Sequence, residues 1–196
     1  PQKKGDPPNF GTVKSGRALA FDGVVDYLDI GSNIITDTDF DWTIAFWIGN
    51  YTKDTYDFII GQTEDMNFLL NSATDNSIAF RNENNLYYTI IANDIIDDWL
   101  WHRVVFTQTS TYIKCYVDGA LQGTIRVGST TNIGGSTALP DTKTIIRYIG
   151  AGYSGADYFV DCSMSDFQIW TAVWSLSDVQ NDYTHPEMLA HTFSGT

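Results

Sequence analysis

Hydrophobic and polar positions alternate in short runs along most of the chain, and turn residues separate the runs. In DWTIAFWIG, residues 41–49, Trp42, Ile44, Phe46 and Ile48 fall on one face of an extended segment, and Thr43, Ala45 and Trp47 on the other. A strand apolar on both faces belongs in the centre of a sheet that is covered on both sides. RALAFDG and DYLDIG precede it, and FIIGQ, NFLLNS, SIAFRN and LYYTII follow, each bounded by Asn, Asp or Gly. WHRVVFTQTSTYIKCYVDGALQGTIRV reads as three antiparallel strands. Thr109-Ser110 marks the first turn and Asp118-Gly119 the second. Asp-Gly at the centre of a two-residue loop signals a type I′ hairpin, because both positions need positive φ.

After a loop rich in Gly and Thr come KTIIRYIGAG and a last strand, YFVDCSMSDFQIW. Only SLSDVQNDY reads as a helix, with Ser177 and Gln180 spaced as a capping box. Regular short strands with one late helix predict an all-β antiparallel sandwich. Residues 1–10 are polar and Pro-rich, without an initiator Met or a signal-peptide pattern. They are expected to be a linker-like segment of a mature product or a fragment, with residues 11–196 forming one domain.

Composition narrows the function classes. The 196 residues are 43% hydrophobic and 14% aromatic, enough for one packed domain despite a net charge of −13. Only 11 residues are Lys or Arg, and they form no stripe. Nucleic acid is therefore not an expected partner. No apolar run reaches membrane-spanning length, so no membrane insertion is expected. Of the 24 acidic residues only Glu64, Glu83 and Glu187 are Glu, and the remainder are Asp. Asp suits turns and also hard cations. Cys115 and Cys162 both lie in strand-like runs, and the sequence leaves open one disulfide or two buried thiols.

ALAFDGVVDYLDIG, DWTIAFWIG, WHRVVFTQTSTYIKCYVDGALQGT and MSDFQIWTAVWSLSDVQNDY occur in an order that resembles the laminin G-like domain of the concanavalin A-like lectin/glucanase superfamily. The resemblance implies a jelly roll of two curved antiparallel sheets. It also implies a recognition or adhesion module, extracellular or surface-exposed, that binds carbohydrate or glycoprotein. A structural Ca²⁺ is common in the family. The matching positions here are Asp22 and Asp166, with Asp161 competing for the second place.

Sugar recognition needs aromatic faces for C–H stacking, with amides and carboxylates for the hydroxyls. Loops carrying both types place Tyr56, Asn84, Tyr88, Tyr153 and Tyr158 as candidate ligand-binding residues. Trp99 and Trp101 share one strand face, which predicts that at least one is partly exposed. Asn50-Tyr51-Thr52 is an N-glycosylation acceptor sequence.

Catalysis has no positive signal. Retaining glycanases of this fold place two Glu on one strand, whereas the three Glu here are scattered, and His102, His185 and His191 form no metal or triad spacing. Two other classes compete with a binding module. One is a structural subunit of a homo-oligomer, filament, sheath or virion. The other is a glycanase or its accessory domain.

Overall fold

The computed structural model describes residues 18–32, 34, 41–52, 57–61, 67–71, 78–81, 87–91, 96, 99–126, 146–152 and 157–186. Among these, two six-stranded antiparallel sheets face each other. The first sheet has the order β1 (Leu19–Asp22), β12 (Asp161–Trp170), β3 (Trp42–Thr52), β8 (His102–Gln108), β9 (Tyr112–Val117), β10 (Ala120–Arg126). The second has the order β2 (Leu28–Asp29), β11 (Tyr148–Ile149), β4 (Asp57–Gly61), β5 (Asn67–Asn71), β6 (Ile78–Arg81), β7 (Tyr87–Ile91). One helix, α1 (Leu176–Thr184), packs on the outer face of the first sheet.

The alternation in β3 explains its central place between β12 and β8. Its even positions, Trp42, Ile44, Phe46 and Ile48, join the core between the sheets, while Ala45 joins the smaller cluster under α1. Phe68 of β5 meets Phe106 of β8 across the sheets at 4.4 Å, while within the sheets Phe80 meets Phe68 at 5.2 Å and Phe46 stacks on Phe167 at 5.7 Å. Each such ring contributes roughly 1.5–3 kcal/mol by leaving water.

The three-strand segment forms β8, β9 and β10 as read from the alternation. Asp118 and Gly119 turn the second hairpin with φ of 51° and 78°, the pair of positive values that a type I′ turn requires. The helix begins earlier than its sequence suggests. Ser175, not Ser177, is the N-cap, and Asp178, not Gln180, closes the capping box. Asp178 accepts from the Ser175 backbone N–H at 2.8 Å, so a short carboxylate serves where Glu or Gln is usual.

Arg103 is the polar centre of the first sheet. It is fully buried on β8, yet its Nε donates to Asp182 Oδ2 at 2.6 Å and its Nη2 to Asp182 Oδ1 at 3.0 Å. Its Nη1 reaches the Asp166 carbonyl at 3.0 Å and the Asp166 carboxylate at 3.1 Å. The guanidinium also lies 5.8 Å from the Trp47 ring centroid. The Arg103 backbone N–H donates to Asp118 Oδ1 of the hairpin turn, and its carbonyl accepts from the Asp118 N–H. One residue thereby joins β8, β12, β3, α1 and the β9–β10 turn, the last through its backbone.

The candidate disulfide does not form. Cys115 and Cys162 are both buried and free. They sit on β9 and β12 of the same sheet with β8 and β3 between them, a separation of at least ~14 Å from strand spacing alone, far beyond disulfide reach. Burial pushes both thiols well above their ordinary pKa.

Two outcomes follow. Arg103→Met leaves Asp182 buried and unpaired, and is expected to lower unfolding free energy by about 3–5 kcal/mol in urea titration. The double variant Arg103→Met/Asp182→Leu should recover most of that loss. A disulfide-exchange reagent should titrate neither thiol in the folded chain and both in guanidinium. Zero thiols in denaturant would restore the disulfide.

Candidate functional site

Of the sequence-derived ligand residues, Tyr88 and Tyr158 lie among the described residues. Tyr56, Asn84 and Tyr153 lie outside the described residues, as do Glu64, Glu83 and Glu187. Tyr88 sits in β7 opposite Phe80 of β6. Tyr158 is 40% exposed with φ of 59°, and its ring lies 5.1 Å from that of Phe58 on β4.

Beside Phe159, the next residue in the chain, the fold assembles residues not singled out from the sequence. β2 pairs with β11, placing Asp29 opposite Tyr148 and Leu28 opposite Ile149. Ile149 is in the core, so Leu28 points inward and Asp29 outward with Tyr148. Tyr27, one residue before Leu28, shares Asp29's side of the strand. Its ring is 41% exposed and lies 5.8 Å from Tyr148, edge-on, and 6.3 Å from Phe159. Arg147 lies over Tyr148 at 5.1 Å and makes a two-pronged pair with Asp29, Nε to Oδ1 at 2.9 Å and Nη2 to Oδ2 at 3.0 Å.

The pairing lowers the Asp29 carboxyl pKa, first through the Arg147 hydrogen bond and then through the Gly31 amide. It raises that of Arg147. The result is a surface of tyrosine rings beside a fixed carboxylate and guanidinium. This chemistry can stack on sugar C–H faces and exchange hydrogen bonds with hydroxyls. The sequence held one signal for it: Tyr27 and Asp29 stand two apart in DYLDIG, on one strand face.

Asp22 and Asp166 do not share a site. The register of β1 with β12 puts Asp22 opposite Asp161, five residues before Asp166 along the same strand. Asp161, the competing residue, is the one opposite Asp22. Asp166 sits at a bulge between Ser165 and Gln168 with φ of 49°, and its carboxylate serves Arg103 and the Gln168 amide instead. Asp22 Oδ1 accepts from the amides of Val24 and Val25 at 2.9 Å each and Asp26 at 3.2 Å. Those N–H groups hold its carboxyl below the usual range. Among the described residues no group of three or more His, Cys, Asp or Glu is placed to hold a metal.

Other candidates resolve individually. Trp99 is 62% exposed with φ of 64°, while Trp101 packs over Gly49, where a Cβ would come 2.5 Å from its ring. His102 Nδ1 lies 2.7 Å from Asp118 Oδ2, within the hairpin-turn network. Asn50 is exposed with φ of 51°, and its Nδ2 donates to Ser163 Oγ at 3.4 Å. No helix among the described residues is long and apolar enough to cross a membrane.

Residues 22–180 match a family profile described as the concanavalin A-like lectin/glucanases superfamily. A search of curated protein sequences finds no match. Among solved structures, domain 4 of AbnA, an extracellular GH43 arabinanase from Geobacillus stearothermophilus, in complex with arabinotriose, is 15% identical at a TM-score of 0.59. That match covers 86% of this chain and 77% of the other. The ligand-binding domain of botulinum neurotoxin serotype D, in complex with N-acetylneuraminic acid, is 20% identical at 0.52, covering 85% of this chain. The chain spans only 41% of that toxin chain's length. A heptameric SAP-like pentraxin from Limulus polyphemus is 13% identical at 0.58, covering 85% of this chain and 81% of its own. At these identities the likeness is one of fold, the jelly roll of lectin-like domains.

Proposed function

The chain belongs to the concanavalin A-like lectin/glucanase superfamily, and from that premise we propose a non-catalytic module that binds carbohydrate through Tyr27, Asp29, Arg147 and Tyr158. The observation that carries the reading is the half-exposed Tyr27 ring against Tyr148, which also carries the Arg147 guanidinium of a two-pronged pair with Asp29, with half-exposed Tyr158 next in the chain to Phe159, which Tyr27 meets. Aromatic stacking supplies area, and the fixed charges supply direction to hydroxyls. The arabinotriose and N-acetylneuraminic acid complexes of two structural neighbours support the class of ligand. The proposed setting is extracellular or surface-exposed, where the exposed Asn50 would be open to glycan attachment.

A structural Ca²⁺ belongs to the proposal at the corner where β1 ends and β12 begins. Two carboxylates directly opposite in an antiparallel pair repel, and Asp22 and Asp161 are such a pair. Those two Asp would hold a hard cation, with carbonyls and water completing its shell. The ion would lock the edge strand β1 onto β12.

Tyr27→Ala and Tyr158→Ala are each expected to weaken oligosaccharide binding by at least about tenfold in calorimetry, with an unchanged melting curve. A glycan array chooses the titrant. Retained affinity in both variants would remove the platform from the site. For the ion, EDTA should lower the melting temperature and excess Ca²⁺ restore it, and Asp161→Asn should abolish the dependence. A melting temperature indifferent to EDTA removes the ion.

A further inference from the structure

The Arg147 guanidinium has one flank closed and one open. Asp29 takes the first, accepting from Nε and Nη2. A guanidinium carries five N–H donors, so three remain, two on Nη1 and one on Nη2. These three make no hydrogen bond among the described residues. The Arg147 and Asp29 side chains are 39% and 37% exposed, so the pair lies at the surface. Asp29 is closer to saturation. Its Oδ1 accepts from Arg147 Nε and from the Gly31 amide at 2.8 Å, and its Oδ2 from Arg147 Nη2. Of about four lone-pair sites on a carboxylate, one is left. Charge is balanced within the pair and negative around it. Exposed Asp26 precedes Tyr27, and exposed Asp157 stands two residues before Phe159, which Tyr27 meets. Of the described basic side chains, Arg103 is buried and Lys114 stands on β9 of the first sheet, so neither offsets these carboxylates.

We propose that this surface takes uncharged sugars presenting two adjacent hydroxyls and rejects carboxylated ones, and that Asp29 sets the choice by holding one flank of Arg147. The inference rests on the carbohydrate reading above and names the class of sugar. Two adjacent hydroxyl oxygens accept from the open Nη1 and Nη2 fork, and one hydroxyl hydrogen finds the lone pair left on Asp29 Oδ2. The half-exposed Tyr27 ring offers an apolar face to the same sugar. A sugar carboxylate fits the open fork in shape but not in charge. It would place one cation between two carboxylates, with Asp26 and Asp157 exposed nearby in the chain and a net charge of −13 overall. Without the Asp29 charge the same fork becomes a carboxylate receptor, because a free guanidinium binds carboxylates in two-pronged fashion.

The test applies the full chain, in calcium-free buffer, to an array of matched pairs, each backbone printed as the neutral oligosaccharide and as its uronate. Calorimetry on the best-bound pair follows. The neutral member should bind at least about tenfold more tightly. Asp29→Asn keeps an oxygen for the Gly31 amide and frees the Arg147 charge. It should shift the preference toward the uronate by at least about tenfold, through a gain in uronate affinity that fades as salt rises. Adding Arg147→Gln to that variant should remove the gain. The melting curve of each variant checks folding. Wild-type chain that binds uronates as well as their neutral partners overturns the selection and leaves the carbohydrate reading standing. An unchanged preference in folded Asp29→Asn overturns the part given to Asp29. Binding of neither member of any pair removes the carbohydrate reading itself, and the selection with it.

Discussion

Arg103 is a fully buried cation, and a buried charge is tolerated only when its partners are fixed around it. That requirement organises the first sheet. Asp182 must come from α1, so the helix lies across the outer face. Asp166 must turn back toward β8, and β12 bulges to allow it. Trp47 on β3 and the Asp118 turn complete the surround. A loop bond adds to this, since Thr43 Oγ1 donates to the Ala172 carbonyl and accepts from the Trp174 amide just before the helix cap. Three segments far apart in sequence are thus fixed by polar geometry as well as by apolar area.

The same constraint shapes what the opposite edge can offer. The bulge that serves Arg103 lies just beyond the stretch in which β12 pairs with β1. On the second sheet, β2 and β11 contribute only two residues each to the ladder. Leu28 and Ile149 point inward, leaving Tyr27, Asp29 and Tyr148 to face the other way. Framework and the proposed recognition surface are therefore divided within single strands. Arg147 gives little net positive charge to that surface because Asp29 already holds it, so hydrogen-bond geometry there counts for more than long-range attraction.

What the sequence made legible was local. The two-sided alternation of residues 42–48 placed β3 centrally, and Asp118-Gly119 announced its own turn, because period and turn chemistry need no knowledge of distant partners. The N-cap moved two residues because SLSDVQNDY itself opens on an earlier serine, and Ser175 with Asp178 closes the capping box. The shared site of Asp22 and Asp166 failed for a different reason. Register between β1 and β12 is set by core-facing Phe21 and Cys162, and the strands are more than a hundred residues apart in the chain. The tyrosine platform was hidden for the same cause, since nothing near Asp29 announces that Arg147 will lie against it.

Backbone amide chemical shifts, followed while an array-selected oligosaccharide is titrated into the chain, test the division most directly. The account predicts perturbations concentrated at Tyr27, Asp29, Arg147, Tyr148 and Tyr158, with Arg103, Asp182 and the α1 amides unmoved. Perturbations centred on Trp99 and Leu100, or spread through β8 and α1, would contradict it.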